Sequence, residues 1–357
     1  MPELRQNLAT REWVIIATER AKRPHEFKPP KRQRTHERPE WLESCPFCPG
    51  NEDQTPEPVL VWPSAGDWQL RVFPNKFPAL KPEGERVRCL EGIMRKLNGV
   101  GYHEVIVETP RHDHTPALQH PEEVARTLKA FQNRGREMML DRRIEQIIYF
   151  KNHGPDAGTS LEHSHCQIVA LPMVPYDVRR RIEELRRTFD DDGTCPYCSI
   201  LEHELSQGER LIAQNEYFVA LIPYAAFSPF HTWILPRRHG PTFLDQTAAE
   251  LRGLGAIMQE VFARLYFGLD DPHFNYMIRS APNRDSSSAY LHWYVSVVPR
   301  VTKAAGFELG SGMYINPSLP EESAQFLRDV RVPAAAPTPG EEAPSPASGR
   351  GNQPEPG

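Results

Sequence analysis

Two histidines and a glutamine alternate in the stretch Gly158-Thr159-Ser160-Leu161-Glu162-His163-Ser164-His165-Cys166-Gln167-Ile168-Val169-Ala170-Leu171-Pro172. The run after them is apolar and reads as a buried strand that stops at Pro172. Side chains alternate across a strand, so His163, His165 and Gln167 share one face. Two imidazoles and a carboxamide on one surface suit covalent chemistry at phosphorus. One histidine attacks, the other is held by a metal or a hydrogen bond, and the amide steadies a phosphoryl oxygen. The Gly- and Ser-containing loop before them offers backbone N–H groups to an anion. A lone H-x-H is more often a strand with two surface histidines, so the rest of the chain has to decide.

Four of the six cysteines lie in two C-P-x-C pairs, Cys45-Pro46-Phe47-Cys48 and Cys195-Pro196-Tyr197-Cys198. In a cytosolic chain that spacing suggests metal or redox chemistry. Each pair is followed by the same series. The first half runs on to Val105-Ile106-Val107-Glu108-Thr109-Pro110-Arg111-His112, a helical stretch over about 121–145, the strand run Ile147–Pro155, a polar loop and His163. The second runs on to Trp233-Ile234-Leu235-Pro236-Arg237-Arg238-His239, a helical stretch over about 245–267, the strand run Phe274–Pro282, a polar loop and His292. His112 precedes His163 by 51 residues and His239 precedes His292 by 53. A fixed order at matched spacing implies a duplicated module.

Thiolates and neutral imidazoles are the ligands tetrahedral zinc prefers, and Cys2His2 closes its shell. The repeat therefore predicts two zinc sites, Cys45, Cys48, His112 and His163 in one, and Cys195, Cys198, His239 and His292 in the other. His114 is the rival of His112. A glutaredoxin-type dithiol also matches Cys-Pro-Tyr-Cys, but two copies with matched histidines favour the metal. Cys89 and Cys166 read as reduced structural thiols. Aligning His163 with His292 sets Tyr294 opposite His165 and Ser296 opposite Gln167. The second copy keeps the ligand and lacks the nucleophile and the amide, so one half is active and the other is scaffold.

The elements that must position these groups follow from hydrophobic rhythm. Val124, Leu128 and Phe131 keep a 3–4 spacing in the first helical stretch, as do Leu251, Leu254, Ile257, Met258 and Val261 in the second. They are core, not site. The expected fold class is α+β, with two tandem modules, each an antiparallel or mixed sheet with packed helices. Residues 1–175 form the module with H-x-H-x-Q and 176–332 its degenerate copy. The tail 333–357, rich in Pro, Ala, Gly, Ser and Glu, is expected to be disordered.

Bulk properties narrow the partners. The chain has 357 residues, and Lys+Arg 42 against Asp+Glu 47 gives a net charge of −5. Nothing in that balance supports a nucleic-acid or membrane-surface partner. No apolar run approaches a membrane span, and the N-terminus has no apolar signal core, which makes a cytoplasmic protein the expectation.

At this point the chain resembles the galactose-1-phosphate uridylyltransferase family of the histidine-triad superfamily, from Arg5 to about Val330. The resemblance rests on Trp13–Pro24, Cys45-Pro46-Phe47-Cys48-Pro49-Gly50-Asn51-Glu52, Phe150-Lys151-Asn152 and the H-x-H-x-Q strand. It implies a homodimer with bound zinc and a double displacement. A nucleotide sugar gives its nucleotidyl group to a histidine, sugar phosphate leaves, and a hexose 1-phosphate takes the group. Carried over, His165 is the nucleophile, and Gln167 is the partner of the phosphoryl oxygen. Asn152, Gly158 and Ser160 form the phosphate cradle. Arg20, Arg23 and Asn75 match nucleotide-binding positions, and Phe47 matches a base-pocket residue. Ser164 and Cys166 stand where the family's common motif has Pro and Gly, and Lys76 stands where uridylyltransferases have an acid. H-S-H and the end of the second module, Gly312-Met313-Tyr314-Ile315-Asn316-Pro317, are similar instead to the family's ADP-glucose phosphorylase branch, which returns an adenylyl group to phosphate. The competing classes are a zinc-containing nucleotide-binding module without chemistry and a metal-free dithiol redox protein.

Overall fold

Helix ends show how local sequence sets the elements that carry the site. In the computed structural model, which describes residues 1–17, 24–27 and 32–333, the first half contains β1 (Glu3–Gln6), β2 (Trp13–Ile16), β3 (Leu60–Trp62), β4 (Leu70–Pro74), the hairpin β5 (Arg88–Glu91) and β6 (Met94–Leu97), β7 (Tyr102–Val107), α1 (Pro121–Met138), β8 (Gln146–His153) and β9 (His165–Leu171). The second half contains α2 (Tyr176–Asp192), α3 (Pro196–Gln207), β10 (Leu211–Gln214), β11 (Phe218–Leu221), β12 (Thr232–Pro236), α4 (Ala248–Leu269), β13 (Phe274–Arg279) and β14 (Tyr294–Pro299). It closes with α5 (Gly306–Ser311), β15 (Tyr314–Asn316) and α6 (Pro320–Asp329).

α4 starts at a capping box, in which Thr247 Oγ1 accepts from the Glu250 N–H and the Glu250 carboxylate accepts from the Thr247 N–H. α1 starts behind Pro121, with the Glu123 carboxylate accepting from the His120 N–H. It stops at Met138, short of the expected 145. The Asp141 carboxylate accepts from the Arg143 N–H at 2.9 Å and from its guanidinium, and this local turn competes with another helical turn.

The strands form one ten-stranded sheet in the order β10-β11-β12-β14-β13-β8-β9-β7-β4-β3, with each pairing antiparallel. Read inward from either edge, the two halves repeat: β3-β4-β7-β9-β8 matches β10-β11-β12-β14-β13. The expected α+β duplication is there, and the copies fuse along β8 and β13, with Phe150 opposite Met277. β15 pairs in parallel with β2 and ties the chain's end to its beginning in a small separate sheet.

Both faces of the large sheet are covered, differently in each half. On one face α1 and α4 bury Val124, Leu128, Phe131, Leu251, Leu254 and Val261 against Ile106, Tyr149, Ile168, Tyr276 and Val295. On the other face α2 and α3 cover the second half, with Ile182, Leu185, Tyr197 and Leu201 on Val219, Trp233, Leu235 and Tyr294. Among the described residues the first half carries there a small cluster of Cys45, Phe47, Cys48, Phe73, Val105 and Val107, next to an open cavity.

The α1–α4 crossing depends on Gly255. A Cβ there would lie 2.7 Å from the Pro121 carbonyl oxygen and 2.8 Å from the Ala125 amide nitrogen, neither of which can move aside alone. Gly255→Ala is therefore expected to destabilise the protein by about 1–3 kcal/mol despite alanine's higher helix propensity. Denaturant unfolding checks this, and a stabilised variant would contradict the close crossing.

Candidate active site and metal centres

β9 hydrogen-bonds to β7 on one side and β8 on the other, which fixes the facing of its side chains. Cys166 and Ile168 point into the helix-covered core, while His165 and Gln167 point to the opposite face and line the cavity. The His165 Nδ1 stands 2.8 Å from the His163 carbonyl oxygen. A carbonyl can only accept, so Nδ1 carries the proton and Nε2 keeps its lone pair. The ring sits edge-on to Phe47 with centroids 5.3 Å apart. Burial, aided by the nearby Lys151 cation, pushes the His165 pKa down to about 4, so the imidazole is neutral at physiological pH.

Lys151 organises the backbone under His165 from the core side. Its buried Nζ donates to the His165 carbonyl oxygen at 2.9 Å, to Ser164 Oγ at 2.9 Å, and to the Glu108 carboxylate. Ser164 Oγ donates to the same carboxylate at 2.7 Å. Burial alone would raise the Glu108 pKa, but Lys151 and Ser164 pull it below the usual carboxylate range. The serine between the two histidines thus joins a buried ion pair, which a proline there could not do.

The cavity over His165 has a volume of about 580 Å3. Phe47, Phe73 and Phe77 give it aromatic walls, and Asn75, Lys76, Gly158, Ser160 and Gln167 give it polar ones. Among the described residues its lining comes from the first half. Gly158 has φ +85°, a left-handed conformation that suits glycine. Asn152 stands just behind it, since a Cβ on Gly158 would lie 3.9 Å from Asn152 Nδ2. Asn152 Oδ1 accepts from Asn275 Nδ2 at 2.9 Å, so a strand of the second half holds the amide and leaves its NH2 group available. Arg20 and Arg23 lie outside the described residues.

His103 was not foreseen. Its Nδ1 accepts from the Ala79 N–H at 3.1 Å, so Nε2 carries the proton and donates to Gln167 Oε1 at 2.7 Å. That bond fixes the amide, with its oxygen tied back and its NH2 end free. Asn75 Nδ2 stands 3.2 Å from the same Nε2, a contact of two donors, while Asn75 Oδ1 accepts from the Phe77 N–H. The second half repeats the device: His231 Nε2 bonds Ser296 Oγ at 2.9 Å across the equivalent strands. Both histidines precede the x-Val/Trp-Ile strand that leads to His112 or His239, a repeat visible in the sequence. Gln167→Ala is expected to lower kcat about tenfold or more with little change in KM, and His103→Ala to lower it less. Steady-state kinetics check this, and a change confined to KM would contradict a role for the amide at the transferred group.

The cysteines and histidines gather as two tetrads. The donor atoms of Cys45, Cys48, His112 and His163 lie within 4.8 Å of one another, as do those of Cys195, Cys198, His239 and His292. His114 instead bonds Asp113 at 2.9 Å. In the first tetrad the sulfur-to-Nδ1 separations are 3.5, 3.6 and 3.7 Å. In the second they are 3.3 and 3.5 Å. A tetrahedral ion with Zn–S about 2.3 Å and Zn–N about 2.0 Å sets sulfur and nitrogen about 3.5 Å apart, so the residues present fit such an ion. His163 Nε2 stands 2.8 Å from the Thr109 carbonyl oxygen, and His292 Nε2 stands 3.1 Å from that of Pro236. Each ring is thereby held with Nδ1 toward the thiols, the usual outer-shell arrangement of a ligating histidine. All six cysteines are free of disulfides.

In the second half Tyr294 fills the place that corresponds to His165. Tyr294 packs 4.9 Å from the Tyr197 ring and 5.0 Å from the Trp233 ring, beneath α2 and α3.

A neutral histidine with a bare Nε2 at a cavity on a duplicated sheet suits chemistry at phosphorus, and the comparisons with known proteins point to a class that transfers nucleotidyl groups. The chain belongs to the galactose-1-phosphate uridylyltransferase family. Residues 1–175 match the family described as galactose-1-phosphate uridyl transferase, N-terminal domain. An ADP-glucose phosphorylase of Arabidopsis thaliana is 35% identical over 93% of this chain and 93% of its own. A galactose-1-phosphate uridylyltransferase of Thermotoga maritima is 31% identical over 93% of this chain and 99% of its own. Among solved structures, an ADP-glucose phosphorylase from Arabidopsis thaliana with bound ADP-glucose superposes with a TM-score of 0.79 at 30% identity, covering 93% of this chain and 99% of that one. The chain is an enzyme of the nucleotidyltransferase class. Among the described residues no helix is long and apolar enough to cross a membrane.

Proposed function

We propose that this enzyme transfers a nucleotidyl group from a nucleoside diphosphate sugar to a phosphate-bearing acceptor by double displacement through His165. The observation that carries the reading is the bond from His165 Nδ1–H to the His163 carbonyl, which leaves Nε2 unprotonated at the cavity. The Nε2 lone pair attacks the α-phosphorus. The bond from that phosphorus to the bridging oxygen breaks, and sugar 1-phosphate leaves with the electron pair. An oxygen of the acceptor phosphate then attacks the same phosphorus, and the P–N bond returns its pair to Nε2. Nδ1 keeps its proton throughout, and the His163 carbonyl stabilises the positive charge of the substituted ring.

Gln167 donates to a non-bridging phosphoryl oxygen. Asn152, Gly158 and Ser160 cradle the phosphates, and Phe47 walls the base pocket with Asn75 beside the nucleotide. Arg20 and Arg23 are assigned to the nucleotide by resemblance. Zinc in the two tetrads would neutralise the thiolates and hold His163, and with it the carbonyl that orients His165. The enzyme is read as a cytoplasmic homodimer.

The family reading is UDP-glucose with a hexose 1-phosphate, the chemistry of galactose metabolism. A second reading, ADP-glucose with inorganic phosphate, is favoured by Ser164 between the histidines, by the cation Lys76 at the cavity, and by the similarity to the Arabidopsis phosphorylase. A half-reaction panel tests both: UDP-glucose, UDP-galactose and ADP-glucose, each with a hexose 1-phosphate or phosphate. Turnover of at least one pair is expected. None, with intact folding and bound zinc, would leave a non-catalytic nucleotide-binding protein.

A further inference from the structure

The second half keeps a cavity near the place of the first half's phosphate cradle, with different chemistry. Strand register sets the equivalence. Phe150 faces Gln167 across β8 and β9, and Met277 faces Ser296 across β13 and β14. Asn152, two residues beyond Phe150, therefore corresponds to Arg279. Arg279 Nε is shielded from solvent and has no hydrogen-bond partner. Arg181 of α2 lines the same cavity. Neither guanidinium has a carboxylate partner among the described residues. Burial and the Arg181 charge together press the Arg279 pKa below its usual value. The acid nearby, Asp177, is exposed and bonds neither arginine.

Holding a half-buried cation with its shielded Nε unpartnered is costly, and a second cation lining the same cavity adds repulsion. An anion between them removes both penalties. Tyr197 and Tyr294 line the cavity and bring phenolic O–H groups. Gln146 brings an acceptor: its Nε2 donates to the carbonyls of Ile147 and Ser280, which orients the amide, and its buried Oε1 is unpartnered. The free room is about 60 Å3, too little for a sugar or a base.

We propose that this cavity, bounded by Arg279, Arg181, Tyr294 and Gln146, is a binding site for one small tetrahedral oxyanion of the hydrogen-phosphate kind, separate from the catalytic pocket. Guanidinium and phenol donate to its oxygens, and Gln146 Oε1 accepts from its hydroxyl. The ion bridges the sheet, through Arg279, to α2, through Arg181. Phosphate then stabilises the covered half by mass action, whichever sugar nucleotide the other half uses.

Equilibrium dialysis of the full-length, metal-loaded protein against radiolabelled orthophosphate tests this. An excess of glucose 1-phosphate, too large for the cavity, is included to compete for phosphate at the catalytic pocket. Wild type is expected to retain one phosphate per chain under these conditions. Arg279→Gln should weaken that binding about 30-fold or more, and Arg181→Gln about tenfold, with nucleotidyl labelling unchanged in both. Should glucose 1-phosphate fail to bind the catalytic pocket, Arg279→Gln still lowers the phosphate count by one. Arg181 lies on a partly exposed helix face, so its variant decides the matter if Arg279→Gln does not fold. Phosphate binding unchanged in the arginine variants, or none in wild type, overturns the proposal.

Discussion

His165→Gly is expected to lower nucleotidyl transfer by about four orders of magnitude or more, with the protein still folded. Removing a covalent nucleophile removes the two-step path itself, so the loss is far larger than that of a binding contact. The fold should survive because the ring's hydrogen bond runs to its own neighbour's carbonyl, and its packing is confined to the wall of an open cavity. The glycine leaves a hole the size of an imidazole beside Phe47. Free imidazole added to the variant should therefore restore part of the rate, with the added ring attacking in place of the lost one. Initial rates with and without imidazole check this, alongside thermal unfolding. A fall of less than tenfold would mean that another group carries the reaction.

Cys48→Ser and Cys198→Ser are expected to behave differently, although each breaks the same kind of tetrad. Cys48 Sγ approaches both histidines of the first centre, and Cys198 Sγ both histidines of the second. Each variant should fall from about two bound metals per chain to about one, because a closed four-ligand shell tolerates little loss. Each should also lose several kcal/mol of stability, since such centres contribute folding energy directly. Only Cys48→Ser should lose most of its activity, because His163 lies in the first centre and its carbonyl holds the nucleophile's tautomer. Elemental analysis, melting and transfer rates on the same preparations separate the effects. Equal activity loss in both variants would place the metal's influence on the fold as a whole.

Much of this site was readable in the sequence because its parts are local or repeated. Alternation put His165 and Gln167 on one face, and the duplication paired each C-P-x-C with its two histidines. What escaped depends on register and on neighbours far away in the chain. The union of the two sheets needs β8 to pair with β13, more than 100 residues later, and no composition or spacing encodes it. Lys151 looks like an exposed strand position by its type, yet Glu108 and Ser164 make it a buried cation. α2 is rich in charge, and its thin stripe of Val178, Ile182 and Leu185 gives little sign in the sequence that it covers the second half. Asn275, a strand residue of the second half, reaches Asn152 across the same β8–β13 pairing, a contact that spacing alone does not reveal.

The most direct test of the central claim is the stoichiometry and position of the covalent adduct. The wild-type chain is incubated with each nucleotide sugar without acceptor, kept at alkaline pH, and weighed intact and as peptides. One nucleotidyl group per chain is expected, lost in acid, on the peptide that contains His165. The group is expected to leave when the matching acceptor is added. Turnover without any adduct, two groups per chain, or label on a peptide around Tyr294 would contradict it.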